Sequence, residues 1–248
     1  MTILALFVLY ALVLTVALAF AGFRSGTAPS GGRTRSHSAR VLVVGASGGT
    51  GRQLVARALE RGYAVTALVR DPAKLPADHP NLTVVQGDVL DAETVEAVVR
   101  GHDAVLSALG HRRYFAPTRI LSTGTRNILA AMEKHGVGRL VCETSLGIGD
   151  SAGRMGLYYT FIVLPFVLPF YFWDKARQER LIANSGVEWV IVRPGALTNG
   201  ASRDRYRSGR GVGSFVRTVR VSRGDVADFM LNQLTSDTHL RTAAGVCW

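Results

Sequence analysis

Residues 41–51 read Val41-Leu42-Val43-Val44-Gly45-Ala46-Ser47-Gly48-Gly49-Thr50-Gly51, and this stretch decides the fold. Its first four residues are apolar and mostly β-branched, which is typical of a strand buried on both faces of a parallel sheet. Residues 51–61 then carry apolar side chains at helical spacing and stop before Gly62, which is typical of a helix closed by a glycine. The sequence therefore predicts a strand, a glycine-rich turn and a helix in direct succession.

The glycines of this turn have the spacing G-x-x-G-x-x-G, which in this context favours a site for the pyrophosphate of a dinucleotide. We expect Gly45 to make the tight turn, Gly48 to let the backbone approach the phosphates, and Gly51 to let the helix pack on the strand. Free N–H groups and the positive dipole end of the helix would bind the phosphates. The alternative is a tight turn without a ligand. The residues expected to contact the cofactor are Gly45, Ala46, Ser47, Gly48, Gly49, Thr50 and Gly51.

Strands and helices alternate through the rest of the chain. Strands are predicted at 63–69, 82–89, 104–110, 139–145 and 188–195, and helices at 92–99, 123–135, 174–184 and 226–234. This alternation predicts an α/β fold with a Rossmann-type, doubly wound parallel sheet in one domain at 40–248. The cysteines are Cys142 and Cys247 alone, so neither a disulfide framework nor a metal site is indicated.

An uncharged apolar run from Ile3 to Phe23 precedes this domain and is long enough to cross a bilayer as one helix. Arginines follow the run and none precedes it, so the positive-inside rule places the domain in the cytoplasm. We therefore expect a single-pass anchor in the cell membrane (1–23), a flexible linker (24–39) and a cytoplasmic catalytic domain. The alternatives are a cleaved signal peptide, since Ala19-Phe20-Ala21 resembles a cleavage site, and a buried helix.

The chain is strongly basic, with 29 Lys and Arg against 18 Asp and Glu and a formal net charge of +11. Such a balance suits an anionic cofactor, anionic lipid or nucleic acid. The arginine-rich stretches are short and lack interleaved aromatic residues, so nucleic acid is not expected as a partner.

A second apolar stretch at 157–173 contains Pro165 and Pro169 and is predicted as an insertion in the domain. The two prolines argue against one straight spanning helix. Three interpretations remain open: a lipophilic wall over the active site, a patch that rests on the membrane beside the anchor, and a second transmembrane segment. The first two are compatible with each other.

The second predicted strand ends at Arg70, where an NAD-preferring fold is expected to carry an acidic residue for the ribose 2′-hydroxyl. An arginine can instead pair with a 2′-phosphate, so the sequence favours NADPH, with Arg52 as a second cation. The alternative is that Arg70 is a solvated strand end. Asp88 follows the third strand at the edge where ligands bind, and its alternative role is to cap the helix at 92–99.

Further segments, together with the glycine-rich turn, resemble a known family. They are Val65 to Asp71, Gly87-Asp88-Val89-Leu90, Asp103-Ala104-Val105, Leu109-Gly110, Thr125-Arg126-Asn127-Ile128, Thr144-Ser145, Ser185-Gly186 and Asp225-Val226-Ala227-Asp228-Phe229-Met230. From Val41 onward the chain resembles the atypical short-chain dehydrogenase/reductases with an NAD(P)H-binding, NmrA-like domain, and among them the biliverdin reductase B or flavin reductase subgroup. The resemblance implies NADPH binding, with Arg70 on the 2′-phosphate, Asp88 and Val89 near the adenine, and Leu109 and Gly110 along the cofactor.

The resemblance also implies that Ser145 lies beside the nicotinamide and the substrate. Lys175 and Gly195 stand where that subgroup has active-site histidines. The wider superfamily uses a Ser, a Tyr and a Lys, and Tyr171 and Lys175 have its Y-x-x-x-K spacing, one helical turn apart. Lys175 would then lower the pKa of Tyr171 and hold the ribose, Tyr171 would act as general acid, and Ser145 would polarise the acceptor carbonyl. The alternative is a core or interfacial tyrosine near a lysine on the helix surface.

These features together predict a membrane-anchored, NADPH-dependent reductase that passes hydride to a conjugated small-molecule acceptor. The resemblance suggests a flavin-like or biliverdin-like acceptor, and the apolar stretches suggest a lipophilic one such as a quinone. The first alternative is a non-catalytic protein that binds NAD(P)H and reports redox state to a partner. The second is an interaction protein that uses the fold as a scaffold and binds no dinucleotide.

Overall fold

A computed structural model describes residues 3–22, 40–75 and 78–248, so the predicted linker at 24–39 lies outside the described part of the chain. The strands are β1 (Arg40–Val44), β2 (Ala64–Val69), β3 (Leu82–Gln86), β4 (Ala104–Ser107), β5 (Arg139–Glu143), β6 (Glu188–Pro194), β7 (Ala196–Thr198), β8 (Arg207–Gly209), β9 (Arg220–Ser222) and β10 (Ala243–Cys247). The helices are α1 (Ile3–Ala21), α2 (Gly49–Glu60), α3 (Ala92–Val99), α4 (Ile120–His135), the short α5 (Leu164–Phe166), α6 (Pro169–Ala183) and α7 (Arg223–Asn232).

Eight of these strands form one sheet in the order β3-β2-β1-β4-β5-β6-β10-β8, while β7 pairs with β9. The pairings from β3 through to β10 are parallel, and β8 closes the edge antiparallel to β10. The strand order changes direction between β1 and β4, where ligands bind in open α/β sheets, outside the carboxyl ends of the strands. This topology confirms the predicted Rossmann-type, doubly wound fold.

Both faces of the sheet are covered by apolar side chains, which explains the uninterrupted apolar sequence of β1. Val41 and Val43 face the cluster under α2 and α7, whereas Leu42 and Val44 face the cluster under α3 and α4. Successive side chains of a strand point to opposite faces, so a strand covered by helices on both sides must be apolar throughout.

Several helix boundaries and one cap differ from the predictions, and α7 begins at Arg223 rather than at 226. Helix α4 begins at Ile120 rather than 123, and α6 begins at Pro169 rather than 174. Asp174, expected at the start of a helix, lies inside α6 and accepts the N–H groups of Leu121 (2.9 Å) and Ser122 (3.3 Å), so it caps α4 across space. Asp88 does not cap α3. That cap is Asp91, whose side chain accepts the Glu93 N–H at 3.1 Å.

Helix α1 packs against the domain along one stripe. Leu18 and Ala21 are buried in a cluster with three residues of the domain, Ile148, Leu164 and Phe172. These three residues are at most 2% exposed. Ala11 is buried as well, and most of the other large apolar side chains of α1 are exposed. By length and composition this helix could cross a membrane or act as a signal sequence. The structure therefore confirms an apolar helix near the predicted position and packs one side of it against the α/β domain.

Candidate cofactor and active site

The glycine-rich turn has the steric form that the sequence predicts. Gly45 has φ +79°, and a Cβ there would lie 2.5 Å from the Ala108 carbonyl oxygen. A Cβ on Gly51 would lie 2.1 Å from the Gly45 carbonyl oxygen. Helix α2 starts at Gly49. Its N-cap residue is Gly48, which has no side chain that could cap the first N–H groups of the helix. Because the first N–H groups of a helix have no partner within it, this turn can cradle a phosphate.

The predicted cofactor-lining residues meet at the carboxyl edge of the sheet. Leu109 and Gly110 follow β4, next to the turn that holds Gly45. A Cβ on Gly124 of α4 would lie 2.8 Å from a methyl group of Val89 and 3.4 Å from a methyl group of Leu109. These close approaches place Val89 and Leu109 against the same face of α4, along the line that the resemblance implies for the cofactor.

Cations lie at the end of β2, where the 2′-phosphate is expected. Arg70 is exposed there, and Arg52 in the first turn of α2 donates to the Lys74 carbonyl oxygen at 3.0 Å. The Lys74 ammonium lies 3.2 Å from the Asp71 carboxylate. Asp88 is also exposed and accepts the Leu90 N–H at 3.0 Å. Arg70 and Arg52 both lie near the carboxyl end of β2, and their contact with a 2′-phosphate stays a prediction.

The Y-x-x-x-K pair lies on α6 and faces the predicted cofactor path. The Tyr171 hydroxyl oxygen is 3.4 Å from the position that a Cβ on Gly110 would take. The Lys175 Nζ lies 5.2 Å from the centroid of the Tyr171 ring and 3.5 Å from the Glu143 carbonyl oxygen. Lys175 is only 3% exposed, so the alternative of a lysine on the helix surface is wrong.

Two aromatic neighbours of Tyr171 were missed by the sequence reasoning. Its ring centroid lies 4.9 Å from that of His111 and 5.9 Å from that of Tyr114, both in edge-on contacts. Burial lowers the pKa of His111, which keeps the imidazole neutral near pH 7. Both residues follow Gly110 in a loop without hydrophobic periodicity, so no local pattern marks them.

Ser145 follows β5 and is half-buried beside a charged network that joins β5, β6 and α6. The Arg193 guanidinium donates twice to Glu179, from Nε to Oε1 at 2.9 Å and from Nη2 to Oε2 at 2.7 Å. It also pairs with Asp150. Thr144, adjacent to Ser145, donates its hydroxyl to Glu179 at 2.7 Å. Burial alone would lower the pKa of Arg193, but the two carboxylates outweigh it and hold the pKa above its usual range.

Two further charged residues at the glycine-rich turn were also missed. Glu143 is buried at the end of β5 and accepts the Thr50 hydroxyl at 3.2 Å, and burial raises the pKa of its carboxyl group. Arg223 lies over the first residue of α2, since a Cβ on Gly49 would be 2.4 Å from its Nε. Arg223 also borders a cavity of about 300 Å³ next to this turn. Its cation can contribute to phosphate binding, although nothing in the sequence around it indicates a site.

Among the described residues, no group of three His, Cys, Asp or Glu side chains is placed to hold a metal ion. The predicted site residues are the glycine-rich turn, the arginines near the end of β2, Ser145 after β5, and Tyr171 and Lys175 on α6. The structure places the Tyr171 hydroxyl beside Gly110, Lys175 against the Tyr171 ring, and Ser145 after the neighbouring strand.

Comparisons with known proteins agree with this geometry. Residues 45–237 match the NAD(P)H-binding family. A chloroplast protein of Arabidopsis thaliana is 36% identical over 169 residues, which cover 64% of this chain and 60% of the relative. A 3β-hydroxysteroid dehydrogenase/Δ5→4-isomerase of Mycobacterium tuberculosis is 32% identical over 189 residues, which cover 68% of this chain and 50% of the relative. The matches thus span half to three fifths of the length of these curated relatives.

Solved structures share the fold. A short-chain dehydrogenase/reductase of Veillonella parvula in complex with NADP has a TM-score of 0.71 and 19% identity, over 85% of this chain and 94% of that one. ChuY, an anaerobillin reductase of Escherichia coli O157:H7, has a TM-score of 0.69 and 23% identity, and the match covers 84% of this chain and 96% of ChuY. Together with the family match and the phosphate cradle, these findings show that the chain belongs to the NAD(P)H-binding family, on the Rossmann fold of the short-chain dehydrogenase/reductases.

Proposed function

We propose that the protein is a membrane-anchored, NADPH-dependent reductase that passes hydride to a conjugated acceptor of the flavin, biliverdin or quinone class. The observation that supports this most directly is the position of the Tyr171 hydroxyl beside Gly110, with buried Lys175 one turn further along α6. A hydroxyl here can give a proton to the acceptor on the side where the nicotinamide is expected. The Lys175 ammonium lies 5.2 Å from the centroid of the Tyr171 ring, close enough to take part in the same site.

Each side chain has a defined task in this proposal. NADPH, when bound, supplies the hydride, and the protein supplies orientation and electrostatics. Ser145 donates a hydrogen bond to the acceptor oxygen or nitrogen, and Lys175 also holds the ribose. The network of Arg193 and Glu179 fixes the strand ends that carry Ser145. The rings of Tyr171, His111 and Tyr114 form an aromatic cluster, and such a cluster suits a flat, conjugated acceptor.

The preference for NADPH is tested by titrating the detergent-solubilised full chain with NADPH and NADH and following nucleotide fluorescence. We expect Arg70→Ala to weaken NADPH binding by roughly 10- to 100-fold, because a hydrogen bond to a charged group contributes about 1.5–3 kcal/mol. NADH binding should not change. The matched control is Arg100→Ala, since Arg100 is exposed at the carboxyl end of α3 and should leave both affinities unaltered. Equal affinity of the unmodified protein for the two nucleotides would contradict the proposed preference.

The acceptor class is tested by NADPH oxidation with a flavin, biliverdin and a short-chain quinone offered separately. Steady oxidation with one of them supports a reductase. The second candidate function, redox sensing without turnover, is favoured by Lys175 and Gly195, which replace histidines of the resembling subgroup. It predicts tight NADPH binding with no oxidation of NADPH by any acceptor.

We further propose that α1 is the membrane anchor and that the catalytic domain lies in the cytoplasm. The exposed surface of α1 is apolar, and its 19 residues extend about 28 Å, close to the thickness of a bilayer's hydrocarbon core. Removal of α1 as a signal peptide would uncover Ile148 and Phe172, which it now buries. Protection of an N-terminal tag from protease in inside-out vesicles, with the domain still accessible, tests this topology.

A further inference from the structure

The second apolar stretch folds into a bent helical segment, which we call the apolar elbow (157–173). It starts as a helical turn, widens into a π-helical turn at Tyr159–Val163 and continues through α5. The helix is interrupted at Val167 and Leu168, and α6 then begins with Pro169. The prediction that the two prolines prevent one straight helix agrees with this shape, and a second straight transmembrane helix does not.

The elbow exposes apolar side chains that the domain leaves uncovered. Their exposed fractions lie between 36% and 61%. Neighbouring apolar side chains that are exposed together commonly mark a surface that contacts a partner or a membrane. The neighbouring loop adds Phe215 and Val216, joined to the elbow by a hydrogen bond from the Leu157 N–H to the Val216 carbonyl oxygen at 3.3 Å. The exposed residues of the elbow are Leu157, Tyr158, Ile162, Phe166, Val167, Phe170 and Trp173.

The bend of the elbow needs little water to satisfy its backbone. The N–H groups of Val167 and Leu168 both donate to the Val163 carbonyl oxygen, at 2.9 and 3.0 Å. Pro165 and Pro169 have no N–H group to satisfy. The Pro165 carbonyl oxygen accepts the Tyr10 hydroxyl of α1 at 3.4 Å. Hydrocarbon tolerates an interrupted helix when its polar backbone groups find partners within the protein, and this bend meets that condition for its N–H groups.

The elbow is continuous with the exposed surface of α1. The Phe166 ring lies 5.1 Å from the Phe7 ring and 5.7 Å from the Tyr10 ring, measured between centroids. Further along α1, Leu18 packs in one cluster with Phe172. The two apolar elements therefore lie side by side, and a bilayer that takes up one of them also reaches the other.

Cations and amphipathic rings surround the elbow. The Arg154 guanidinium lies 5.1 Å from the centroid of the Phe215 ring, and Arg217 is exposed in the same loop. Tyr158 and Trp173 are 61% and 36% exposed, and such rings are common at the level of lipid headgroups. Arginines near an apolar surface favour anionic headgroups. The partner that fits both the apolar face and its basic margin is an anionic bilayer.

We propose that the apolar elbow inserts into the hydrocarbon of an anionic bilayer beside α1, so that two elements hold the domain on the membrane. This inference rests on the proposed anchoring of α1 and specifies the partner of the domain itself. Trp173 is two residues after Tyr171 in α6, about 3 Å along the helix axis, so insertion of the elbow would bring the Tyr171 site close to the membrane surface.

The chain carries a suitable probe for this proposal. Its three tryptophans are Trp173 in the elbow, Trp189 in the core at 2% exposure, and Trp248, whose ring lies 3.7 Å from the Arg203 guanidinium carbon. The full chain is reconstituted in vesicles of phosphatidylcholine and phosphatidylglycerol with bromine on the acyl chains, which quenches tryptophan in the hydrocarbon. We expect quenching in the unmodified protein and its loss in Trp173→Phe.

Two variants in the Trp173→Phe background complete the test. Val167→Trp places a probe at the bend and should be quenched, and Leu12→Trp on the exposed side of α1 is the control for insertion of that helix. Quenching of the α1 probe without quenching of Trp173 or of the probe at the bend would overturn the proposal. If the elbow probes are not quenched and the elbows of two chains can be cross-linked to each other, the elbow is a contact surface for a second copy of the chain.

Circular dichroism of each variant establishes that it is folded. The quenching experiment needs neither nucleotide nor turnover, so absence of NADPH oxidation would contradict the proposed function and leave this test unaffected. Conversely, a turning-over enzyme whose elbow is not quenched would contradict the insertion alone.

Discussion

Replacing Glu179 by glutamine should strongly destabilise the domain. Arg193 and Glu179 are 1% and 0% exposed and share two hydrogen bonds of 2.9 and 2.7 Å. The substitution keeps the shape of the side chain but removes one of the two carboxylates, Glu179 and Asp150, that lie against the buried guanidinium. Removing one partner of a buried ion pair costs about 3–5 kcal/mol. For a domain of this size the melting temperature should fall by on the order of 6–20 °C.

The assay is thermal unfolding of the full chain in one detergent at one pH, followed by circular dichroism. Asp150→Asn is the matched control, because the Asp150 side chain is 31% exposed and water screens its charge. Its cost should stay within about 1 kcal/mol, as for surface ion pairs. A double variant, Glu179→Leu with Arg193→Met, removes both buried charges. It should be more stable than Glu179→Leu alone and than Arg193→Met alone.

A fall in melting temperature of less than about 2 °C on Glu179→Gln, which corresponds to roughly 1 kcal/mol or less in a domain of this size, would refute a large cost for unpairing the buried Arg193. An equal cost for Asp150→Asn and Glu179→Gln would show that solvent does not screen the charge of Asp150. A double variant less stable than both single variants would show that the pair contributes more than its own desolvation costs.

Further expected outcomes concern the turn, the tyrosine and the pH dependence. Gly51→Ala should abolish NADPH binding in the fluorescence titration, because its Cβ would lie 2.1 Å from the Gly45 carbonyl oxygen; binding at unchanged affinity would show that α2 can shift at no cost. Tyr171→Phe should lower kcat by roughly 10²- to 10⁴-fold with little change in NADPH affinity, as for loss of a general acid, and an unchanged kcat in steady-state NADPH oxidation would exclude that role. Burial alone would raise the pKa of Asp225, but the hydroxyls of Ser202 and Ser222 outweigh it and hold the pKa below its ordinary value. The stability that Asp225 contributes is therefore complete above about pH 4 and is lost as the pH falls through the lower pKa of the folded state. Asp225→Asn should remove this part of the acid dependence in thermal melts between pH 3 and 6, and a melt profile identical to that of the unmodified protein would contradict it.

The core of the fold could be predicted from the sequence because its signals are local. The apolar run of β1, the glycine spacing and the helix-closing Gly62 all act within a few residues of their effect. Gly62 adopts φ +80°, as expected for a residue that ends a helix. The cap of α7 is local as well, since the Ser222 side chain accepts the Asp225 N–H at 3.0 Å.

The features that were missed depend on contacts between distant segments. Helix α4 starts early because Asp174, far along the chain, accepts its first N–H groups. Strand β10 forms only because β6 and β8 lie on either side of it. Arg223 reaches the phosphate cradle because α7 packs beside α2, and no pattern around Arg223 encodes that contact. The Y-x-x-x-K spacing was visible, whereas the burial of Lys175 was not.

The docking of α1 has a consequence for biosynthesis. A ribosome adds about 5–20 residues per second, so α1 is made seconds before Ile148 and Phe172, the side chains that it later covers. During that interval the apolar side chains of α1 have no domain surface to pack against, and a bilayer can keep them out of water. Membrane insertion would then come before folding of the domain, and the last step of folding would be closure of the nascent chain onto a helix already held in lipid.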